Sequence, residues 1–233
     1  MSDGVIYAGE GELMNLSWTW NEMAEYTLKC TKNTLSASRL TALLSDLCNE
    51  LYAHRPGDDT TIAVMRVINR KIVNIFTGPP KSKDDDERMV REFMSEEGTK
   101  VVSGGTSVLQ KNIVTSVNYQ DSSVPPTAAI EGLDLVTEGV LTLGKALKLL
   151  KKYERDDFDV EFFDELDADN GASRLARLLI EECTDIHLFV GTATNEAHQN
   201  SNLPFDLSIR MNLVEQLQEV ARKMGKQVCV KYY

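Results

Sequence analysis

The feature that most constrains the fold is the alternation of strand and helix patterns along residues 71–233. Short runs rich in β-branched and aromatic residues predict strands over 72–77, 100–103, 133–137, 185–191 and 227–233. Apolar residues at helical spacing predict helices over 84–97, 106–116, 141–153, 172–183 and 207–224. Strands and helices that alternate form a mostly parallel sheet covered on both faces. This region therefore predicts a Rossmann-like, three-layer α/β/α domain with five strands.

Residues 1–70 carry a different pattern and predict a separate α/β segment. Leucines at helical spacing predict an amphipathic helix over 36–54, and a shorter helix is expected over 19–29. Pro56-Gly57 ends this pattern, and the β-branched run TTIAVMRVI (60–68) predicts a strand. We place the domain boundary after Arg70.

Two polar stretches interrupt the alternation and predict loops, over 118–132 and 154–171. The second is rich in acids, but it lacks the closing glutamate of a calcium-binding loop, so its acids are expected to be solvated or to cap helices. The four cysteines have no CxxC spacing and lie in apolar patterns, which predicts reduced, buried thiols.

Charge and hydropathy exclude several classes of partner. The formal net charge of −11 argues against a nucleic-acid surface and against a polybasic membrane anchor, whereas a cationic partner or a metal ion suits it. The sequence has no apolar run long enough to span a membrane and no signal-peptide pattern, so we expect a cytoplasmic protein.

Glycine and hydroxyl residues follow several predicted strands, in FTGPP, VSGGTS, VTEG and VGTATN. Ligands of parallel sheets bind outside the carboxyl ends of the strands, where backbone N–H groups at helix starts attract anions. The best candidate for such an anion cradle is the run Ser103, Gly104, Gly105, Thr106 and Ser107. Tight turns need the same residues, so a purely architectural use stays open.

Two aspartate turns stand out near the amino end: Asp3 in SDG, and Asp58-Asp59 in GDDTTIAVMRV. Carboxylates on rigid corners are suited to hard divalent cations, although an Asp before Gly is also an ordinary turn residue. The two motifs, in this order and with a helix between them, resemble the last two motifs of the metal-dependent (PPM, or type 2C) protein phosphatases. The resemblance is to the branch of stage II sporulation protein E, and it covers about the first 68 residues.

The resemblance implies that Asp3 and Asp58 are ligands of Mn²⁺ or Mg²⁺ and that Asp59 supports them from beside the site. It further implies hydrolysis of a phosphoserine or phosphothreonine on a partner protein. The family's other metal ligands lie in motifs upstream of the point where this chain begins. We therefore expect residues 1–70 to be the C-terminal part of a phosphatase domain, inactive alone, with a sheet edge that invites homodimerisation. Either the gene is truncated or another polypeptide supplies the rest.

The motifs GPP, GGT and EGLDLVTEG of the second domain also resemble the C-terminal extension of some phosphatases of this branch, which implies a regulatory or assembly role. The alternative is a non-enzymatic α/β module that binds a small anionic ligand or a partner protein. A third alternative, an independent enzyme in the second domain, lacks a visible pair of nucleophile and base. His198, in an Asn-rich stretch, is expected to serve a loop or a helix cap.

Overall fold

The computed structural model describes residues 1–10, 19–55, 57–104, 127–130, 132–137, 139–193 and 205–233. The described chain divides into two compact units. The first comprises 1–69 with 158–164, and the second comprises 70–157 with 165–233. The predicted helix over 106–116 and the residue His198 lie outside the described residues.

Three helices form the framework of the first unit: α1 (Asp3–Ile6), α2 (Trp20–Asn33) and α3 (Ala37–Leu51). At the start of α2, Glu22 accepts a hydrogen bond from the Thr19 N–H at 2.7 Å. At the start of α3, the Ser36 hydroxyl accepts a hydrogen bond from the Arg39 N–H. The apolar stripes of α2 and α3 then close a small core over α1, which consists of Val5, Ala8, Met23, Leu44, Cys48 and Leu51. Both predicted helices are confirmed.

The predicted strand over 60–68 is wrong, because residues 59–71 have no helical or strand structure. Ile62 packs against the core of the first unit, whereas Met65 and Val67 are each 93% exposed. The Thr61 carbonyl accepts from the Ser2 N–H, and the Thr61 N–H donates to the Ser2 hydroxyl. Between Ile62 and Asn69 no backbone hydrogen bond reaches another described residue. A β-branched run becomes a strand when a neighbour pairs with its backbone, and no described strand lies beside this one.

The second unit is built on the predicted parallel sheet. Its strands are β1 (Ile72–Thr77), β2 (Thr99–Ser103), β3 (Thr127–Ile130), β4 (Leu133–Thr137), β5 (Asp185–Val190) and β6 (Gln227–Tyr232). The order is β3-β4-β2-β1-β5-β6, and all neighbours pair in parallel except β3. The five predicted strands and the α/β class are confirmed. The sixth, β3, lies antiparallel at one edge, so the predicted loop over 118–132 contains a strand.

Helices connect the parallel strands: α4 (Asp86–Ser95), α5 (Val140–Glu154), α6 (Val160–Asp167), α7 (Gly171–Arg177) and α8 (Phe205–Lys223). A π-helical turn (Leu178–Glu182) extends α7, so the helix predicted over 172–183 is present in two parts. The predicted loop over 154–171 is wrong in its middle, where α6 forms. Phe162 and Phe163 make that segment apolar enough to pack, and Asp159 accepts a hydrogen bond from the Phe162 N–H.

An aromatic cluster fills the space between α4 and one face of the sheet. Phe93 of α4 makes edge-to-face contacts with Phe76 of β1 and Phe189 of β5, at centroid distances of 5.4 and 5.5 Å. Because side chains alternate along a strand, Val73 and Ile75 face the opposite side, where they are also buried. The sheet therefore has helices on both faces, as a three-layer α/β/α fold requires.

Cysteine burial departs from the prediction at one position. Cys30, Cys48 and Cys183 are free and buried, but Cys229 is exposed because it lies on the edge strand β6. Among the described helices, none combines the length and apolar character needed to cross a membrane.

Candidate functional site

The corner of Asp3 opens the helix α1. The Asp3 side chain accepts a hydrogen bond from the Gly4 N–H through Oδ1 at 3.1 Å, which fixes the carboxylate against the start of the helix. Asp3 itself is exposed to solvent, while Gly4 and Val5 are buried beneath it. This geometry presents one carboxylate on a rigid backbone.

The corner of Asp58 has the same construction. The Asp58 Oδ1 atom accepts from the Asp59 N–H at 2.8 Å, and the Asp58 carbonyl accepts from the Thr60 hydroxyl at 3.2 Å. Asp58 and Asp59 are both exposed. A second carboxylate is thus held by its own turn.

Ser2 joins the two corners. Its N–H donates to the Thr61 carbonyl and its hydroxyl accepts from the Thr61 N–H, both at 2.9 Å. The same hydroxyl donates to the Asp59 carbonyl at 3.0 Å. Three hydrogen bonds from one residue therefore bring together two motifs that lie more than fifty residues apart in the sequence.

Two glycines permit this close approach. A Cβ atom on Gly4 would lie 2.5 Å from the Asp59 carbonyl oxygen and 3.3 Å from the Asp58 Cβ, so the first corner contacts the second through a bare backbone. At Gly57, the position of a Cβ is filled by the ring of Tyr52. The glycine in each motif is thus required by close packing as well as favoured by the turn.

Tyr52 is a site residue that the sequence did not single out. Its hydroxyl donates to the Gly4 carbonyl at 2.8 Å and so ties α1 to the end of α3. Burial raises the pKa of Tyr52 above its ordinary value, and the negative charges of Asp58 and Asp3 raise it further. Both carboxylates therefore act on the same phenol. A Tyr that ends an amphipathic helix gives no signal of this role in sequence.

The donor set of the joined corners fits part of a divalent-cation site. Carboxylate oxygens are the ligands that Mn²⁺ and Mg²⁺ favour, and both carboxylates are open to solvent, which leaves room for water ligands. In the part of the chain that the structure describes, no group of three or more acid, His or Cys side chains could hold a metal. The assignment of Asp3 and Asp58 as metal ligands, with Asp59 beside them, stays a prediction.

At the predicted anion cradle, the structure describes Ser103 and Gly104, whereas Gly105, Thr106 and Ser107 lie outside the described residues. The Ser103 side chain is buried, accepts from the Thr137 hydroxyl at 3.2 Å and donates to the Gly139 carbonyl at 3.4 Å. The Ser103 hydroxyl proton is therefore engaged within the fold, and this residue helps to join the ends of β2 and β4.

The switch point of the sheet, where the strand order reverses between β1 and β5, is filled by the chain itself. The guanidinium group of Arg210 occupies the position that a side chain at Gly78 would take. The backbone of Pro79 occupies the position that a side chain at Gly191 would take. Arg210 is 8% exposed and donates to the Ala193 carbonyl at 2.8 Å. At this point, where doubly wound proteins usually bind ligands, Arg210 and the Pro79 backbone therefore pack directly against the two glycines.

A cavity of about 400 Å³ lies at the opposite, amino ends of β1, β2 and β4. Its charged lining residues have both signs and are Arg70, Lys71, Glu97, Asp134 and Glu182. Asp134 accepts a hydrogen bond from the Lys100 N–H, and Arg70 is paired with Asp185 at 2.7 Å. These pairings stabilise the amino ends of the strands, and we assign the cavity no role in binding a ligand.

Comparison of the chain with protein-family models, with curated proteins and with solved structures finds no match to any of them.

Proposed function

We propose that the first unit is the C-terminal portion of a cytoplasmic, metal-dependent serine/threonine phosphatase of the sporulation and stress-signalling type. The observation that supports this most directly is the set of hydrogen bonds from Ser2 to the Asp58–Thr61 turn. These bonds hold the backbones of the two aspartate turns side by side, which is the arrangement that a shared metal site would need. In this proposal Asp3 and Asp58 hold Mn²⁺ or Mg²⁺, and the substrate is a phosphoprotein.

When bound, a divalent cation at this place would polarise the phosphoryl group and lower the pKa of a bound water. The protein's own contribution is positional. The Gly4 and Asp59 N–H groups orient the two carboxylates, while Ser2 and Tyr52 hold the corners against each other. These hydrogen bonds hold the two corners in place without an ion, which reduces the entropic cost of binding.

The number of ligands sets the expected affinity. Mg²⁺ takes about six oxygen ligands, so two carboxylates leave about four positions to water. We therefore expect weak binding of Mn²⁺ by this chain, and no measurable hydrolysis of a phosphate monoester by the chain alone.

Titration of the 233-residue chain with Mn²⁺, followed by the electron paramagnetic resonance of the free ion, tests the proposal. Asp3→Asn and Asp58→Asn should each abolish the weak binding, because each removes one ligand and one charge. Asp59→Asn is the matched control and should retain most of it, since the proposal gives Asp59 no direct bond to the ion. Equal affinity in wild type and in both ligand variants would refute the metal site.

The second candidate function is a non-enzymatic regulatory module formed by the second unit. It is favoured by the hydroxyl and glycine residues at the carboxyl ends of β2 and β4, which are typical of anion-binding edges. A thermal-shift screen with nucleotides, phosphate and sugar phosphates separates the two candidates. Stabilisation that persists in Asp58→Asn would favour the module, because that variant lacks a ligand of the proposed metal site.

A further inference from the structure

We propose that the amino terminus of α5, together with the Thr142 hydroxyl, binds a phosphate-type oxyanion at the carboxyl edge of β2 and β4. This inference concerns the second unit and is independent of the metal site proposed for the first. It deepens the second candidate function, because it assigns a ligand class and a binding residue, Thr142, to the edge at which the turn VTEG ends β4.

The central observation is a buried hydroxyl that has no hydrogen-bond partner. Thr142 is 0% exposed, and among the residues that the structure describes its Oγ1 atom has no hydrogen-bond partner. Buried polar groups in folded proteins are nearly always bonded, because burial without a partner costs free energy. This hydroxyl therefore retains its capacity to donate a hydrogen bond to an acceptor.

The position of Thr142 in the helix directs its side chain toward the helix start. Thr142 is the third residue of α5, and Cα–Cβ bonds in an α-helix tilt toward the amino terminus. The hydroxyl therefore lies on the same turn as the first N–H groups of the helix, which have no partners within the helix itself. The residue before the helix, Gly139, has no side chain to cap them, and the first turn contains no acidic residue.

The start of α5 also lies where ligands of parallel sheets bind, at the carboxyl end of a strand. Gly104, directly after β2, and Gly139, shortly after β4, are in contact there. Gly139 has a φ of 139°, and a Cβ on it would lie 2.8 Å from the Gly104 Cα. The Gly104 N–H donates to the Thr137 carbonyl at 3.1 Å, which fixes the end of β2 against the end of β4. The helix start is therefore held on a rigid support.

The chemistry of the donors defines the class of ligand. Backbone N–H groups are donors, a threonine hydroxyl can donate, and the helix dipole adds a partial positive charge. The N–H groups and the helix dipole disfavour a cation. A tetrahedral oxyanion can accept several hydrogen bonds at once, which matches a phosphate, either as the free ion or as the terminal group of a small phosphorylated molecule.

Titration of the ¹⁵N-labelled chain with inorganic phosphate, and separately with ribose 5-phosphate, tests the proposal by amide chemical shifts. We expect saturable shifts of the Val140, Leu141 and Thr142 amides with at least one probe. Tighter binding of the sugar phosphate would identify a phosphorylated molecule as the ligand, and equal binding would identify the phosphate group alone. The absence of saturable shifts with both probes at tens of millimolar would overturn the proposal.

Three variants separate binding from folding. Thr142→Val keeps the shape but removes the hydroxyl, and should weaken phosphate binding by about tenfold or more. In the absence of phosphate it should raise the melting temperature, since an unbonded buried hydroxyl is lost. Thr142→Ser should retain binding, and Thr41→Val, the same change in α3, should leave it unaltered. Unchanged phosphate affinity in Thr142→Val, or a lower melting temperature without phosphate, would refute the role of the hydroxyl.

Discussion

Replacing Gly4 with alanine tests whether the two aspartate corners touch as described. The new Cβ would lie 2.5 Å from the Asp59 carbonyl oxygen, a backbone atom that cannot rotate away, so one corner must move. Overpacking of this kind costs about 1–3 kcal/mol. Alanine is favoured over glycine in a helix by up to about 1 kcal/mol, but α1 has a single turn, so little of that gain is realised. We expect a net loss of about 1–2 kcal/mol.

Urea denaturation followed by tryptophan fluorescence measures this loss. Both tryptophans, Trp18 and Trp20, lie within the first 69 residues, so their emission reports on the first unit. The matched control is Gly144→Ala in α5, where a Cβ meets no atom within 4 Å. That change should stabilise the second unit by about 0.5–1 kcal/mol, as monitored by circular dichroism. The same substitution is thus expected to act with opposite sign at the two positions.

A Gly4→Ala variant as stable as the wild type would refute the contact between the corners. It would also remove the support for the metal site, because the carboxylates would no longer be held on joined turns. If the contact is real, the variant should also bind Mn²⁺ more weakly than the wild type in the titration described above. The two readouts should change together.

Three further predictions concern the second unit. The hydrogen bond from Arg70 holds the pKa of Asp185 below its ordinary value. The pair therefore stabilises the fold fully at a pH above the pKa that Asp185 has in the unfolded chain. This stabilisation is lost as the pH falls through the lower pKa that Asp185 has in the folded protein. Asp185→Asn should therefore destabilise the protein at pH 7, and its difference from the wild type in thermal unfolding should shrink as the pH falls below the ordinary Asp pKa. Burial raises the pKa of Cys183 to about 11, whereas Cys229 is exposed. A thiol reagent at pH 8 should therefore label Cys229 before Cys183, and equal labelling rates of the two thiols would contradict the burial of Cys183. Phe93→Ala should cost about 3–5 kcal/mol in chemical denaturation because it empties the centre of the aromatic cluster, and a loss below that of a surface substitution would contradict its burial.

Local patterns predicted most of the second unit. The five parallel strands and the helices between them follow from runs of β-branched residues and from helical spacing, which each segment carries in itself. The exceptions have specific causes. The edge strand β3 lies in a stretch whose polar residues and Pro pair indicate a loop, and it forms because β4 offers an antiparallel partner. In α6, the acidic composition concealed a helix whose phenylalanines are buried by packing.

The sequence by itself determined most of the helices and strands of the second unit and two helices of the first, because periodicity, capping and glycine preferences act over a few residues. It placed Asp3 and Asp58 on separate turns, and the resemblance of their two motifs to a phosphatase family is what led us to expect one site. The tertiary structure decided everything that depends on distant partners: the bonds from Ser2 to Thr61, and the absence of a described strand beside 60–68. It alone left the Thr142 hydroxyl buried and unbonded, since burial is a property of the assembled fold.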